Sequence, residues 1–178
     1  VSGTTLAGNN SVNLFSADNS DSGNITFTNA AVPLTIVAIN NAAGNVAIDN
    51  TGGVVISGAV TASGTVEVTA HSPLTVTSTG TVTAGSDVTL TATPGATGGT
   101  LVVAGSVSSA GVVIECGGSA VILATTSEVT ATDGGTVLLG AFGTQGDIIQ
   151  HGGLISASGD VVMLADRNVN LNGQINAD

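Results

Sequence analysis

Few side chains in this sequence are equipped for chemistry, and they are scattered. Its 178 residues hold two histidines, one cysteine, one strong base and 12 acids. A zinc site needs three or four converging His, Cys or carboxylate ligands. His71 and His151 lie far apart with no cysteine pair near either, so both read as solvated corner residues. Asp87, Asp133, Asp147 and Asp160 each adjoin a Gly or Ser. Carboxylates so placed could ligate calcium, but the serial Gly-Gly-x-Gly-x-Asp signature of calcium β-rolls is missing. Asp is also favoured at chain corners, where its side chain accepts hydrogen bonds from nearby backbone N–H groups.

Nucleophilic and glycosidic chemistry are equally poorly provided for. Nothing resembles the strand-to-helix elbow that presents a catalytic serine. Polysaccharide-active sites on elongated β-folds need clustered acids with basic partners or aromatic sugar platforms. This chain has no Lys, Tyr or Trp, and its one Arg, Arg167, sits beside Asp166 in an expected turn. A reactive thiol needs an electropositive setting. Cys116 has none, and it aligns with Ala70, Ala92, Ala141 and Ala165 as a small core filler. The sequence therefore predicts a non-enzyme, with no catalytic, cofactor-binding or metal-binding residue.

Composition narrows the classes further. Hydrophobic residues make up 42%, yet aromatics are 2% and charged residues 7%, well below the roughly 25% charged of an ordinary domain. The apolar content is Val, Ala, Ile and Leu, interspersed with Thr, Ser and 26 Gly. β-Branched side chains suit a pleated surface and glycine suits tight corners, so the chain should be almost entirely β. The net charge of −11 arises from missing bases. Nucleic acid is disfavoured as a partner because nothing could neutralise its phosphates, and an anionic membrane surface is disfavoured likewise. No apolar run approaches the roughly 18 residues of a membrane-spanning helix.

What must position these residues is a repeat. Gly58-Ala-Val-Thr-Ala-Ser-Gly-Thr-Val-Glu-Val-Thr-Ala70 returns as Gly80-Thr-Val-Thr-Ala-Gly-Ser-Asp-Val-Thr-Leu-Thr-Ala92, and again as Gly153-Leu-Ile-Ser-Ala-Ser-Gly-Asp-Val-Val-Met-Leu-Ala165. Each unit reads as three short strands, and units begin near residues 58, 80, 105, 127, 153 and 173, a spacing of 20–26. Three strands of about five residues plus corners consume that length, which is one turn of a three-sided solenoid. The fold class predicted is all-β, a single-stranded right-handed parallel β-helix of about eight coils and, at 4.7–4.9 Å per coil, on the order of 40 Å long.

Alternation assigns the faces. Val60, Val82, Val107, Val129, Ile155 and Ile175 share one phase of the first strand, and each is expected above its counterpart. In the second strand Val66, Val68 and Ala70 recur as Val88/Leu90/Ala92, Val112/Ile114/Cys116, Val137/Leu139/Ala141 and Val161/Met163/Ala165, all expected inward. Thr61, Thr81, Thr83, Ser106, Ser108, Thr130 and Ser156 take the outward phase. Such a hydroxyl ladder could order water as ice-binding solenoids do, but Glu128, Leu154 and Gln174 interrupt it. The same counting leaves Val113, Leu138, Val162 and Leu164 outward on second strands, an apolar stripe suited to self-association.

Residues 1–49 follow the pattern less cleanly. Leu34 to Ile39 and Asn45 to Asp49 read as strands, whereas 9–24, rich in Asn, Ser, Asp and Gly, reads as loops or an irregular first coil or cap. Residues 50–178 form the regular part, continuous with 1–49 as one domain. Pro33, Pro73 and Pro94 fall at strand starts or in loops, as a missing donor requires. Open solenoid ends expose unpaired edges, so neighbouring modules are expected to stack end to end or side by side.

The pattern Gly-x-Val-x-Ala-x-Gly-Asp-Val-x-Leu-x-Ala, best carried by 80–92 and 153–165, resembles repeats of bacterial filamentous-haemagglutinin-type adhesins and related giant β-strand-repeat surface proteins. The stretch Leu164-Ala-Asp-Arg167 followed by Asn172-Gly-Gln-Ile-Asn-Ala177 is similar to their coil transitions. The resemblance implies a secreted, surface-exposed right-handed β-helix that extends from bacterial cells and mediates attachment, to a host or cell-surface ligand, or fibre formation. An ice-binding solenoid and a polysaccharide-active enzyme are the competing expectations.

Overall fold

The computed structural model of the chain describes residues 3–93 and 99–178, and among these it contains 21 strands and no helix. The strands arise where Val, Ile, Leu and Thr alternate, and they end where Gly, Ser, Asp or Asn allows a corner. The first three coils each have two strands. They are β1 (Thr4–Asn10) and β2 (Leu14–Ser22), β3 (Ile25–Asn29) and β4 (Leu34–Ala43), and β5 (Val46–Asn50) and β6 (Val54–Ala62). Five coils of three strands follow. The fourth has β7 (Val66–Ala70), β8 (Leu74–Val76) and β9 (Thr81–Ala84), and the fifth has β10 (Val88–Ala92), β11 (Thr100–Val103) and β12 (Ser106–Ser109). The sixth has β13 (Val113–Gly117), β14 (Ala120–Leu123) and β15 (Glu128–Ala131). The seventh has β16 (Val137–Ala141), β17 (Asp147–Gln150) and β18 (Leu154–Ala157), and the eighth β19 (Val161–Ala165), β20 (Asn168–Leu171) and β21 (Gln174–Ala177).

All pairing is parallel and runs from coil to coil. One sheet stacks β1, β3, β5, β7, β10, β13, β16 and β19. The other begins with the long strands β2, β4 and β6, then forks. One branch continues through β8, β11, β14, β17 and β20, the other through β9, β12, β15, β18 and β21. The section thus changes from two strands per coil to three where β6 pairs both β8 and β9. This is a parallel β-helix of eight coils, in which each coil's backbone groups are satisfied by its neighbours.

The expected first-strand file is present: Val60, Val82, Val107, Val129, Ile155 and Ile175 are register partners in sequence, and the first five are fully buried. Leu74, Leu101, Val121 and Ile148 form a second buried file on the neighbouring branch. Pro33 and Pro73 immediately precede β4 and β8, where no ladder donor is needed. Residues 142–146 form the corner between β16 and β17, whereas Pro94 lies outside the described residues.

Two expectations are resolved by the structure. Of the two readings of 9–24, the irregular first coil holds and the loops do not: 9–10 end β1 and 14–22 form β2, with register shifts between Leu6 and Asn10, Phe15 and Ser16, and Asn19 and Ser22. Their asparagines mislead a composition reading because they occupy strand ends where later coils carry alanine. Asn29 and Asn50 stand in register with Ala70, and Asn41 with Ala62. Inside, Asn29 Nδ2 donates to Asn50 Oδ1 at 2.9 Å, and Asn50 Nδ2 donates to the carbonyls of Ala31 and Gly53 at 3.0 and 2.9 Å. Phe15 and Phe27 stack with ring centroids 4.1 Å apart and fill the core of these first coils.

The second is a correction and concerns β13. Val113, not Val112, pairs with Val88 and Val137, so Val113, Glu115 and Gly117 face inward while Ile114 and Cys116 face outward. Corner length decides this. Residues 63–65, 85–87 and 158–160 make three-residue corners between a first strand and the following valine, and 110–112 does the same. Keeping that corner leaves Val113 0% exposed and removes it from the outward stripe.

Candidate functional site

Outward residues of the first sheet form two files over the last three coils. Ile114, Leu138 and Val162 are register partners in one, and Cys116, Gly140 and Leu164 in the other. Leu138 is half-buried, Val162 is 36% exposed and Leu164 50%, and Phe142 at the adjoining corner is also exposed. Earlier in the stack the same files carry Glu67 and Thr89, and Thr69 and Thr91. The C-terminal half of this face is therefore apolar and uncharged, and the N-terminal half polar. Of the four residues expected in the stripe, Leu138, Val162 and Leu164 lie on it, Val113 is inside, and Ile114 takes its place. A shallow pocket of ≈ 300 Å³ opens beside the patch, lined chiefly by Thr91, Thr93, Cys116 and Phe142.

Cys116 is not the core filler its alignment with alanines suggested. It sits part-exposed on the outer face, and burial followed by the neighbouring Glu115 charge pushes its thiol above the usual range. A raised thiol is the reverse of an activated nucleophile.

A cross-coil relay that sequence reading did not single out joins Asp49, His71 and Thr93. His71 Nε2 lies 2.9 Å from Asp49 Oδ1, and Thr93 Oγ1 lies 3.2 Å from His71 Nδ1. The steps are 22 residues each, one coil period, and that spacing was the available signal. Its order matches nucleophile, base and orienting acid. Pro94 follows Thr93 and has no N–H to offer an oxyanion, and Thr93 Oγ1 also bonds the Ala70 carbonyl at 3.3 Å. His71 and Asp49 are about half exposed, with side chains at 47% and 56%. The three side chains tie successive coils at one corner.

Several other polar groups are likewise used between coils. Asp87 Oδ1 accepts from the Val112 N–H at 2.8 Å and Asp166 Oδ2 from the Gly143 N–H at 2.7 Å, both corner roles. Arg167 pairs not with Asp166 but with Asp147, with Nε 2.8 Å from Oδ1 and a second contact from its terminal nitrogen. The Arg167 bonds, helped by a 3.0 Å bond from Asn168 Nδ2, hold the Asp147 carboxyl down at about 2. His151 follows β17 three coils beyond His71. Among the described residues no three His, Cys, Asp or Glu side chains gather to hold a metal ion.

One group stands apart. Glu115 is 0% exposed inside the stack, where its register partners are Leu90 and Leu139, and neither carboxyl oxygen has a hydrogen-bond partner. Desolvation pushes its carboxyl up to about 8. Comparison with known proteins assigns none of these features a role: no protein-family model, no curated protein and no solved structure matches the chain.

Proposed function

We propose that this chain is a non-enzymatic structural or adhesive segment of an extracellular fibre, secreted or displayed at a cell surface. The observation that carries the reading is the state of its end coils. Core-phase side chains lie uncovered there, with Leu6 exposed in the first coil and Val169, Leu171 and Ile175 exposed in the last. Each stands in register with a buried residue of the neighbouring coil: Leu6 with Phe27, Val169 with Ile148, Leu171 with Gln150 and Ile175 with Ile155. The end coil of another copy would cover these side chains and continue the ladders. A heterologous contact of that kind does not close on itself and generates a filament.

The mechanism is geometric. Coil stacking supplies stiffness, and the apolar patch around Leu138, Val162 and Leu164 supplies a lateral contact with a neighbour or a host or cell-surface ligand. The resemblance of 80–92 and 153–165 to adhesin repeats supports the same reading. An ice-binding face is less well served. Thr61, Thr83, Ser108, Thr130 and Ser156 form one continuous file, but the adjacent file runs through Glu128 and Leu154, and the Thr130 hydroxyl is buried.

Negative-stain electron microscopy across a concentration series tests the proposal. Filaments one solenoid wide, or their lateral bundles, are the expected result. Isolated short rods at millimolar concentration, or thermal hysteresis at micromolar protein, would overturn it.

A further inference from the structure

The sixth coil is built under two conflicting demands. Its three-residue corner at 110–112 places Val113 where Val66, Val88 and Val161 stand in other coils, and that register drives Glu115 into the core. Side-chain polarity favours a register displaced by one residue. Val112, Ile114 and Cys116 would then stand over Val88, Leu90 and Ala92, with Glu115 outward over Thr91. Because side chains alternate with period two, one step exchanges every face of the strand. Gly111 precedes β13, Gly117 ends it and Gly118 follows, so backbone freedom is concentrated where a slip must be absorbed.

We propose that β13 is a two-register switch: the protonated Glu115 acid is held inside, and its carboxylate is turned outward by a one-residue slip of the strand. A carboxylate in an apolar interior with no bond to either oxygen is strongly disfavoured, whereas the neutral acid is far less so. No counter-charge offsets this. Among the described residues, the inward faces of β10, β11, β12, β14, β15 and β16, the elements packed on β13, hold no acid or base. Glu128 of β15 points to solvent, Asp87 is engaged at the corner with the Val112 N–H, and Cys116 lies on the outer face of β13 itself. Slipping relieves the burial that raises the carboxyl from 4.5 to about 8, so the transition falls between those values, at a pH set by the cost of the slipped register.

The slip changes the outer patch as well. Val113 replaces Ile114 beside Leu138, and Glu115 replaces Cys116 beside Gly140, so an uncharged face gains a carboxylate above the transition. Cys116 moves from part-exposed to inward, which makes it a native reporter.

The test is the alkylation rate of Cys116 by iodoacetamide between pH 5 and 8, divided at each pH by the rate of the same protein unfolded in denaturant. In this range both the raised folded thiol and the unfolded thiol are little ionised and rise alike with pH, so the ratio removes the ordinary rise in thiolate. It is expected to fall about tenfold per pH unit above the transition, following the inside-acid population. Glu115→Gln, which cannot ionise, is expected to give a flat ratio, and Glu115→Leu supplies the same control should the buried amide prevent folding. A flat ratio in the unaltered protein means a single register and overturns the proposal. A ratio that rises with pH means that the coil opens instead of slipping, and overturns it too, as does a fall that persists in Glu115→Leu.

Discussion

Glu115 occupies, on the sixth coil, the inward place that Leu139 fills directly above it on the seventh. The repeat holds the backbone to one geometry, and the side chain that geometry delivers to the core is an acid. Burial raises its carboxyl from 4.5 to about 8, so between those values the folded chain keeps a proton that the unfolded chain has lost. Stability therefore falls as pH rises through that window, by about 1.4 kcal/mol per unit and about 5 kcal/mol in all, less whatever the slipped register recovers. Denaturant unfolding from pH 4 to 9 should show this slope, and Glu115→Leu should remove it. Equal slopes in both proteins would contradict the burial.

The ladders predict a sharp contrast within one sheet. Leu139 is fully buried and Leu164, one coil later and on the opposite face, is half exposed. Leu139→Ala should destabilise by about 2–5 kcal/mol, through lost transfer energy and a cavity that stacked coils cannot close. Leu164→Ala should stay within about 0.5 kcal/mol, but should weaken lateral association if the patch makes that contact. Chemical denaturation with analytical ultracentrifugation reads both.

In the N-terminal coils, Asn50→Ala should cost about 1–3 kcal/mol for each group it strands. It removes one bond each from the Asn29 amide, which keeps the Val12 carbonyl, from the Gly53 carbonyl, which keeps the Leu34 N–H, and from the Ala31 carbonyl. Hydrogen exchange should then loosen first around β3 and β5. Loss of protection confined to the C-terminal coils would argue against this ladder.

The lone base makes a prediction of opposite pH sign. Asp147 is depressed from 3.8 to about 2 by its Arg167 bonds, so the stabilisation from that pair is present above 3.8 and lost as pH falls through about 2. Arg167→Gln should return the carboxyl toward the ordinary range. A carboxyl-carbon NMR titration of Asp147 that does not move between the two proteins would disprove the pairing.

The stack was legible in the sequence because one coil's length, 20–26 residues, repeats together with the alternation inside it. Val60 over Val82 follows from both signals at once. Register at β13 was missed by one residue because apolarity was counted ahead of spacing. Val66, Val88 and Val161 each stand eight residues after the glycine at 58, 80 and 153, and eight after Gly105 is Val113. Corner geometry outranked side-chain polarity there. The N-terminal coils were obscured for another reason. Asn29 donates to Asn50 and Asn19 to Asn41 from coil to coil, and composition alone cannot distinguish such an asparagine ladder from a solvated loop. The Asp49–His71–Thr93 relay depends on side-chain reach across three coils, which periodicity suggests but does not determine.

Methyl–methyl nuclear Overhauser contacts in a valine- and isoleucine-labelled sample test the stacking most directly. Val82 should show cross-peaks to Val60 below and Val107 above, with Val129 and Ile155 continuing the chain in order. If Val82 instead touches methyls from an adjacent hairpin and none from Val60 or Val107, the coils do not lie over one another.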